Sequence, residues 1–353
     1  MERSKKIVVH CCGGTGISIV DKSIDLLSKR DTDRKAGLVI KALDTSSANF
    51  ADTMRLKDIE NCFYRIENAK LANSFLDGSG GVRAHSAESI IKGVQNYMDT
   101  NGFIEPKRGE LHIIIASASG GSGNVIATTL LSNMLNKDIP VLIVLVGDDV
   151  SAKYCENTSK VLKTVNNIAQ NTDKAVALAY FLNNQRNLER GDSYKSSQET
   201  VDVSIAVLLD ILRTFNGSPK DLDFQDIKNL INPKLKDFGL YNGVYILSYK
   251  VGEIENDDVR KIAPVISRTI LMNPDEYQPL EISHSKVGYA DETLKENLTE
   301  NYGVKNINLL LSIGNLKGEI EVLENKEKEI KERLNTFKDS LDIPASSDNV
   351  LVL

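Results

Sequence analysis

The chain has 353 residues, 41% of them hydrophobic, 26% charged and only 6% aromatic, which suits a soluble globular protein with a large core and room for two domains. Its formal net charge is −6 with both signs interspersed, so composition excludes a basic stripe for direct nucleic-acid binding and a polybasic membrane patch, and any contact with DNA would pass through a partner. The four cysteines Cys11, Cys12, Cys62 and Cys155 have no C-x-x-C spacing, the N-terminus lacks a signal-peptide pattern and no apolar run reaches membrane-spanning length, so the expected compartment is a reducing cytoplasm.

Lys5–His10 is a short β-branched run that reads as a buried strand. It ends on Cys11-Cys12-Gly13-Gly14-Thr15-Gly16, ahead of a helical pattern carrying Ile19, Ile24 and Leu27. Gly37–Leu43 is a further strand closing on Asp44-Thr45-Ser46, where the carboxylate could touch a hydrated metal or, equally, cap a helix. A second glycine cluster, Gly78-Ser79-Gly80-Gly81, precedes the helical stretch Ala87–Met98, with Ile90, Ile91, Val94 and Tyr97 as its apolar positions.

The apolar run Leu111–Ile115 leads into Ser119-Gly120-Gly121-Ser122-Gly123-Asn124 and the amphipathic stretch Asn124–Leu135. Glycines let a backbone approach an anion, and the free N–H groups of a following helix favour a phosphate there. Taken singly, such a loop is more often a plain strand-to-helix connection; three in one chain shift that balance. Val141–Val146 is a continuous apolar strand, followed by Gly147-Asp148-Asp149, the helical Lys160–Gln170 and the strand Ala175–Leu182. Alternation of this kind predicts a parallel α/β sheet with ligands at the carboxyl ends of its strands. No P-loop and no G-x-G-x-x-G is present, so a polyphosphate would have to be held by several loops together.

Val201–Phe215 is apolar on nearly every side and predicts a helix buried between layers, stopped by Asn216-Gly217-Ser218-Pro219. Asp221-Leu222-Asp223-Phe224-Gln225-Asp226 follows, and by itself it reads as a capped helix start. Val244–Lys250 and Ile307–Ile313 predict strands of a second, smaller sheet, with Asp258–Leu271 a helix between them. Glu319–Ser340 is a charged helix with Ile320, Leu323, Ile330, Leu334 and Phe337 along one seam. It is either a short coiled coil or, more commonly for such a stripe, a helix docked on its own domain or on a neighbouring subunit. Asp342–Leu353 predicts a flexible tail. His10, His85, His112 and His284 have no metal-ligand spacing and read as core or surface histidines.

The set of loops resembles the tubulin/FtsZ superfamily of filament-forming GTPases. Ser119-Gly120-Gly121-Ser122-Gly123 fits the core of its signature phosphate loop, with Val125 where the family usually has another glycine. Cys12-Gly13-Gly14-Thr15-Gly16 ends the first strand as in the family, Leu76-Asp77-Gly78-Ser79-Gly80-Gly81 resembles a further phosphate loop, and Asp221–Asp226 resembles the family's acidic loop. The resemblance implies an N-terminal parallel-sheet GTPase domain (1–196), a buried connecting helix (197–217), a smaller α+β activation domain (218–316), a C-terminal helix (317–341) and a tail (342–353). It implies GTP or GDP bound by Gly13, Gly14, Thr15, Gly16, Gly78, Ser79, Gly80, Gly81, Ser119, Gly120, Gly121, Ser122, Gly123 and Asn124. Asn183 and Asp202 fall where the guanine contacts lie and Glu156 where the ribose contact lies, with Asn184 and Asp148 as alternatives. Mg²⁺ would sit near Asp44, directly or through water. Asp226 and Asp223 would act in trans, closing the next subunit's site and orienting the attacking water.

Within the family, the divergent loops and the helix after the second sheet resemble the TubZ branch of plasmid and phage partition tubulins. That branch implies head-to-tail self-association, a TubR-like DNA-binding adaptor on a centromere-like DNA, no direct nucleic-acid contact, no membrane, and the cytoplasm of a bacterial host. The alternatives are a PhuZ-like filament positioning phage DNA, which the absence of an acidic cluster in Val350-Leu351-Val352-Leu353 lowers, an FtsZ-like division filament, and a nucleotide-binding scaffold that does not polymerise.

Overall fold

The apolar runs form strands because their branched side chains pack on both faces of a sheet, and the glycine loops end them where helices cross back. The computed structural model describes residues 6–30, 38–66, 87–107, 110–183, 201–202, 204–206, 208–209, 212, 231–232, 243–251, 280–282, 307–313 and 316–340. In chain order these give β1 (Lys6–Cys12), α1 (Gly13–Arg30), β2 (Leu38–Asp44), α2 (Ala48–Ala51), β3 (Phe63–Arg65), α3 (Ala87–Thr100), β4 (Glu110–Ser117), α4 (Ser122–Asn136), β5 (Val141–Asp148), α5 (Ala152–Gln170) and β6 (Val176–Asn183). β7 (Val244–Val251), β8 (Leu280–Ile282), β9 (Ile307–Ile313) and α6 (Leu316–Ser340) follow.

The strand order is β3-β2-β1-β4-β5-β6-β7-β9-β8. Every pairing from β3 to β7 is parallel, and β7-β9 and β9-β8 are antiparallel. The expected second sheet is therefore not separate. Val176, Ala177 and Leu178 of β6 pair with Val244, Tyr245 and Ile246 of β7, and β7 then carries the whole of β9. A single strand shared by two partners makes one nine-stranded sheet.

Successive strand residues alternate between two cores. Ile7, Val9 and Cys11 pack with Ile17 and Val20 of α1 and with Val201, Ile205, Leu208, Leu209 and Leu212; residues 201–212, where described, are helical and, Ser204 apart, buried. Val8 and Cys12 face the other layer, made by α3, α4 and α5 with Leu316, Ile320 and Leu323 of α6. In α3 the covered stripe is Ile90, Val94, Tyr97 and Met98, while Ile91, predicted apolar-facing, is exposed. α5 begins eight residues before the predicted Lys160, at Ala152, because Ser151 caps it by accepting from the Tyr154 N–H.

Of the two expectations for the C-terminal helix, docking on its own domain holds. α6 lies along α5, with Lys163 paired to Glu324 and Lys326 reaching Asp149 at 2.8 Å. Toward its far end Leu334 and Phe337 are exposed. All four cysteines are buried and unpaired, and burial pushes the Cys12 and Cys155 thiols up, the latter to about 12. Among the described residues no helix is long and apolar enough to cross a membrane.

Candidate functional site

The strand order reverses between β1 and β4, and a crevice opens there at the carboxyl ends of the strands. It is a cleft of about 490 Å³ lined at one end by Gly14, Thr15, Asn49, Ser117, Ser119 and Gly120, and at the other by Ser18, Ile19, Lys22, Val201 and Asp202, with Val146, Gly147, Asp148 and Tyr154 between. α1 starts at Gly13 and α4 at Ser122, both next to this cleft, and neither helix has an acidic residue in its first turn. Neither helix supplies its own counter-charge, and Gly14 and Thr15 put the start of α1 on the cleft, where its positive end favours an anion.

The predicted glycines divide into two groups. A Cβ on Gly13, which has a φ of +72°, would meet the Gly123 Cα at 2.7 Å; one on Gly123 would meet the Cys12 carbonyl oxygen at 2.6 Å; one on Gly16 would meet the Ile115 carbonyl oxygen at 2.4 Å. These three let the two helix starts close on each other and on β4. Gly14 and Gly120 line the cleft itself, and around Gly120 a Cβ would meet nothing nearer than the Ser117 side chain at 3.7 Å.

The central loop is shaped by amides. Asn124 Nδ2 donates to the carbonyls of Ala118 and Gly120, and Asn157 Nδ2 donates to that of Ser119 at 2.8 Å. Because a trans peptide points its N–H opposite to its C=O, tying down three successive carbonyls also fixes the direction of the N–H groups of Ser119, Gly120 and Gly121. Ser117 Oγ receives the Ser119 N–H at 3.2 Å and lies 2.9 Å from Ser119 Oγ. Asn124, expected to bind directly, is fully buried and acts on the loop instead, its Oδ1 without a hydrogen-bond partner. Gly121 is the buried N-cap of α4.

Asp44 is buried behind this end and is not among the residues lining the cleft. It accepts from the Thr45 N–H at 2.7 Å, from Asn49 Nδ2 at 3.0 Å and from Ser122 Oγ at 3.2 Å. Ser46, not Asp44, receives the Ala48 N–H at the start of α2. Asp44 therefore fixes Asn49, which does line the cleft, and the first residue of α4. Among the described residues no group of three or more histidine, cysteine or carboxylate side chains could hold a metal. A divalent cation would fit this site only as one carried by phosphates and water, the usual habit of Mg²⁺.

At the far end, Lys22 of α1 and Asp202 form an ion pair at 2.6 Å. The resemblance points to Asp202; nothing in the sequence singles out Lys22, Asn49, Tyr154 or Asn157, because each looks like an ordinary polar residue of a helix or loop. Asn183 ends β6 in register with Asp148. Asp148, the alternative ribose contact, lines the cleft, whereas Glu156 does not. Glu156 faces Lys160 on the outer side of α5, and that ammonium draws its carboxyl below the usual range. Gly78, Ser79, Gly80, Gly81, Asp223, Asp226, Asn184, His85, His284, the helix expected at Asp258–Leu271 and the tail lie outside the described residues. His10 and His112 are core residues beneath β1 and β4.

No family model matches the chain. Among curated proteins it is 23% identical over 226 residues to a phage tubulin-like protein of Pseudomonas phage 201phi2-1; the match spans 64% of this chain and 61% of the relative's own length. Among solved structures it is similar to a protofilament of TubZ from bacteriophage PhiKZ, at a TM-score of 0.67 and 18% identity, covering 99% of this chain and 96% of that one. It is likewise similar to the phage tubulin PhuZ with GDP, at a TM-score of 0.66 and 18% identity over 98% of each chain. The fold, an α/β parallel sheet with its cleft at the β1/β4 reversal, is that of the tubulin/FtsZ superfamily. Its sequence is similar to that phage tubulin-like protein and its fold to those of TubZ and PhuZ.

Proposed function

We propose that this chain is a cytomotive GTPase of the phage and plasmid tubulin type. It binds GTP or GDP in the β1/β4 cleft, assembles head to tail with copies of itself, hydrolyses GTP at the subunit contact and moves DNA through a bound adaptor. The observation that carries the reading is the polarity of the cleft. One end offers two helix starts and the Ser119–Gly120 loop; the other offers Ile19, Val201 and an Asp–Lys pair. That is the shape and charge of a purine nucleotide. The similar PhuZ structure holds GDP and the similar TubZ structure is a protofilament.

In this reading the Ser119–Gly123 loop and Thr15 hold the phosphates, Asp148 and Tyr154 lie beside the sugar, and Asp202, with Asn183 at the end of β6, faces the base. Mg²⁺ supplies charge neutralisation on the phosphates when bound, and Asp44 sets the residues around it. The chain's own contribution to hydrolysis is positioning and electrostatics, the two terms that dominate phosphoryl transfer. Asp226 and Asp223 of one subunit orient water at the site of the next, so turnover requires assembly. The adaptor is a TubR-like DNA-binding protein, in keeping with a net charge of −6, and the setting is the cytoplasm of a bacterial host.

The test is right-angle light scattering with parallel phosphate release, with Mg²⁺ and GTP, GDP or ATP, over a concentration series. Scattering with GTP alone above a critical concentration, and phosphate release rising from the same threshold, is the expected result. Bound nucleotide without scattering or turnover at any concentration would leave a nucleotide-binding scaffold in place of a filament.

A further inference from the structure

The middle of the cleft is walled by the turn between β5 and α5, and that turn is held from outside by the C-terminal helix. Gly147 and Asp148 line the cleft. Asp149, the next residue, is buried and is met by α6, Lys326 Nζ to Asp149 Oδ2 at 2.8 Å, across 177 residues of sequence. A second contact runs through the buried Tyr180. Its hydroxyl donates to Glu319 Oε1 in the first turn of α6 at 3.4 Å, and a Cβ on Gly147 would meet that same hydroxyl at 2.5 Å, so the phenol lies directly against the Gly147 backbone. Glu319 and Lys326 are seven residues apart, about two turns, which puts both on one face of α6. Asp148, closed on its own turn by accepting from the Val150 N–H at 2.9 Å, therefore sits between two neighbours that α6 holds.

On the nucleotide reading of this cleft, on which the inference rests, we propose that α6 is a latch on the nucleotide site and that Lys326 is a positioning residue for it, acting through Asp149. A nucleotide that fits the turn as Gly147 and Asp149 fix it binds best while α6 is docked. By linkage the same nucleotide favours docked α6, with the same factor in both directions. The effect concentrates at Lys326, because a buried carboxylate deprived of its ammonium is destabilised far more than an exposed pair is. Asp149 regains solvation by moving outward, and Asp148 moves with it, away from the cleft wall. Lys163 and Glu324 also join α5 to α6, but both are exposed and neither lines the cleft, so that pair holds the helix without holding the turn.

The experiment measures GDP affinity and amide hydrogen exchange on the full chain. Lys326→Met, which keeps the stem and removes the charge, should weaken GDP binding about tenfold; Lys326→Arg should restore it, and Lys163→Met should leave it unchanged. Asp149→Asn combined with Lys326→Met should lose no more affinity than the larger single loss, since the two residues act as one contact. In the wild-type chain GDP should slow exchange across residues 316–340, and in Lys326→Met it should slow exchange in α1 but no longer in α6. Wild-type affinity in Lys326→Met would overturn the proposal, as would an equal loss in Lys163→Met, which would make general docking of α6 responsible. Additive losses in the double variant would overturn it too, because Lys326 would then act elsewhere than through Asp149. So would α6 exchange indifferent to GDP in the wild-type chain, a measurement that requires no variant to fold. A wild-type chain that binds no GDP would instead overturn the nucleotide reading itself, and the latch with it.

Discussion

The two ends of the cleft are built from different materials. The glycine-loop end is backbone: helix starts, peptide N–H groups and carbonyls tied down by Asn124 and Asn157, with Asp44 used up in holding neighbours. The opposite end is side chain: an ion pair between Lys22 and Asp202 beside apolar walls. The first cannot be altered without moving chain, since its geometry is set by how closely two helices approach. The second can be changed without moving backbone, but Asp202 is buried while Lys22 is half-exposed, so removing the lysine alone leaves a buried carboxylate without its cation. In the proposed reading, the phosphates common to every nucleotide meet backbone, and the part that differs between nucleotides meets side chains.

The largest effect expected from this difference is at Gly123. Gly123→Ala drives a methyl to 2.6 Å from the Cys12 carbonyl oxygen, backbone that cannot turn aside, and should cost about 3 kcal/mol of stability and all nucleotide binding. Gly120→Ala, whose methyl meets only the Ser117 side chain at 3.7 Å, should stay within about 0.5 kcal/mol of wild type. Thermal melting of the two variants decides the matter: equal destabilisation would mean that the division into packing and lining glycines is wrong. Next in size is the trans partner of the site. Asp226→Ala should retain GTP-dependent scattering and lose phosphate release, since its proposed role begins only once a neighbour has docked.

Asn157→Ala sits between the two. It leaves the Ser119 carbonyl without its 2.8 Å donor, at a cost of about 1 kcal/mol in stability. Calorimetric titration should show GDP affinity falling roughly fivefold, because the loop must then be ordered by the ligand. Affinity unchanged at reduced stability would make Asn157 a structural residue only.

Much of this arrangement was legible in the sequence, for a physical reason. Buried parallel strands are continuous apolar runs, and β1, β2, β4, β5 and β6 lie within two residues of where such runs predict them. Glycine loops that end those strands point at the cleft because strand ends are where an α/β sheet binds ligands. What stayed hidden depends on pairing between distant parts. Val244–Lys250 looks the same whether its strand starts a new sheet or extends the old one, and only its three-residue register with β6 decides. The seam of α6 runs from Ile320 to Phe337 with only Glu327 breaking it, yet Ile320 and Leu323 are buried while Leu334 and Phe337 are exposed, because what is covered depends on how far α5 accompanies it. Lys22 has the appearance of any helix-surface lysine until Asp202 arrives from the other side of the cleft. Glu156 was placed by motif position, which fixes the backbone but not which side of α5 the carboxylate faces.

A change of pH separates the cleft from the core beneath it. Under β1 and β4, His10 Nδ1 lies 2.9 Å from Tyr97 Oη and His10 Nε2 lies 2.9 Å from His112 Nδ1, with Phe103 against both rings. Burial, then His112 and Lys41, hold His10 well below its ordinary value; burial, then Lys107, brings His112 down to about 3. Each folded-state pKa is therefore lower than that of the unfolded chain, about 6.5. Above that pH both states carry neutral rings and the stability is fully present. As the pH falls below it the unfolded chain takes up protons that the folded core refuses, and stability is lost at up to about 1.4 kcal/mol per pH unit for each histidine. Between pH 6.5 and 5 the pair should cost about 3 kcal/mol in denaturant unfolding, and the ring proton resonances of His10 and His112 should not titrate over that range in the folded protein. The cleft contains no histidine among its lining residues, so its affinity for GDP should not follow this loss while the chain remains folded. A GDP affinity that fell in step with stability would mean that the core and the backbone end of the cleft move together.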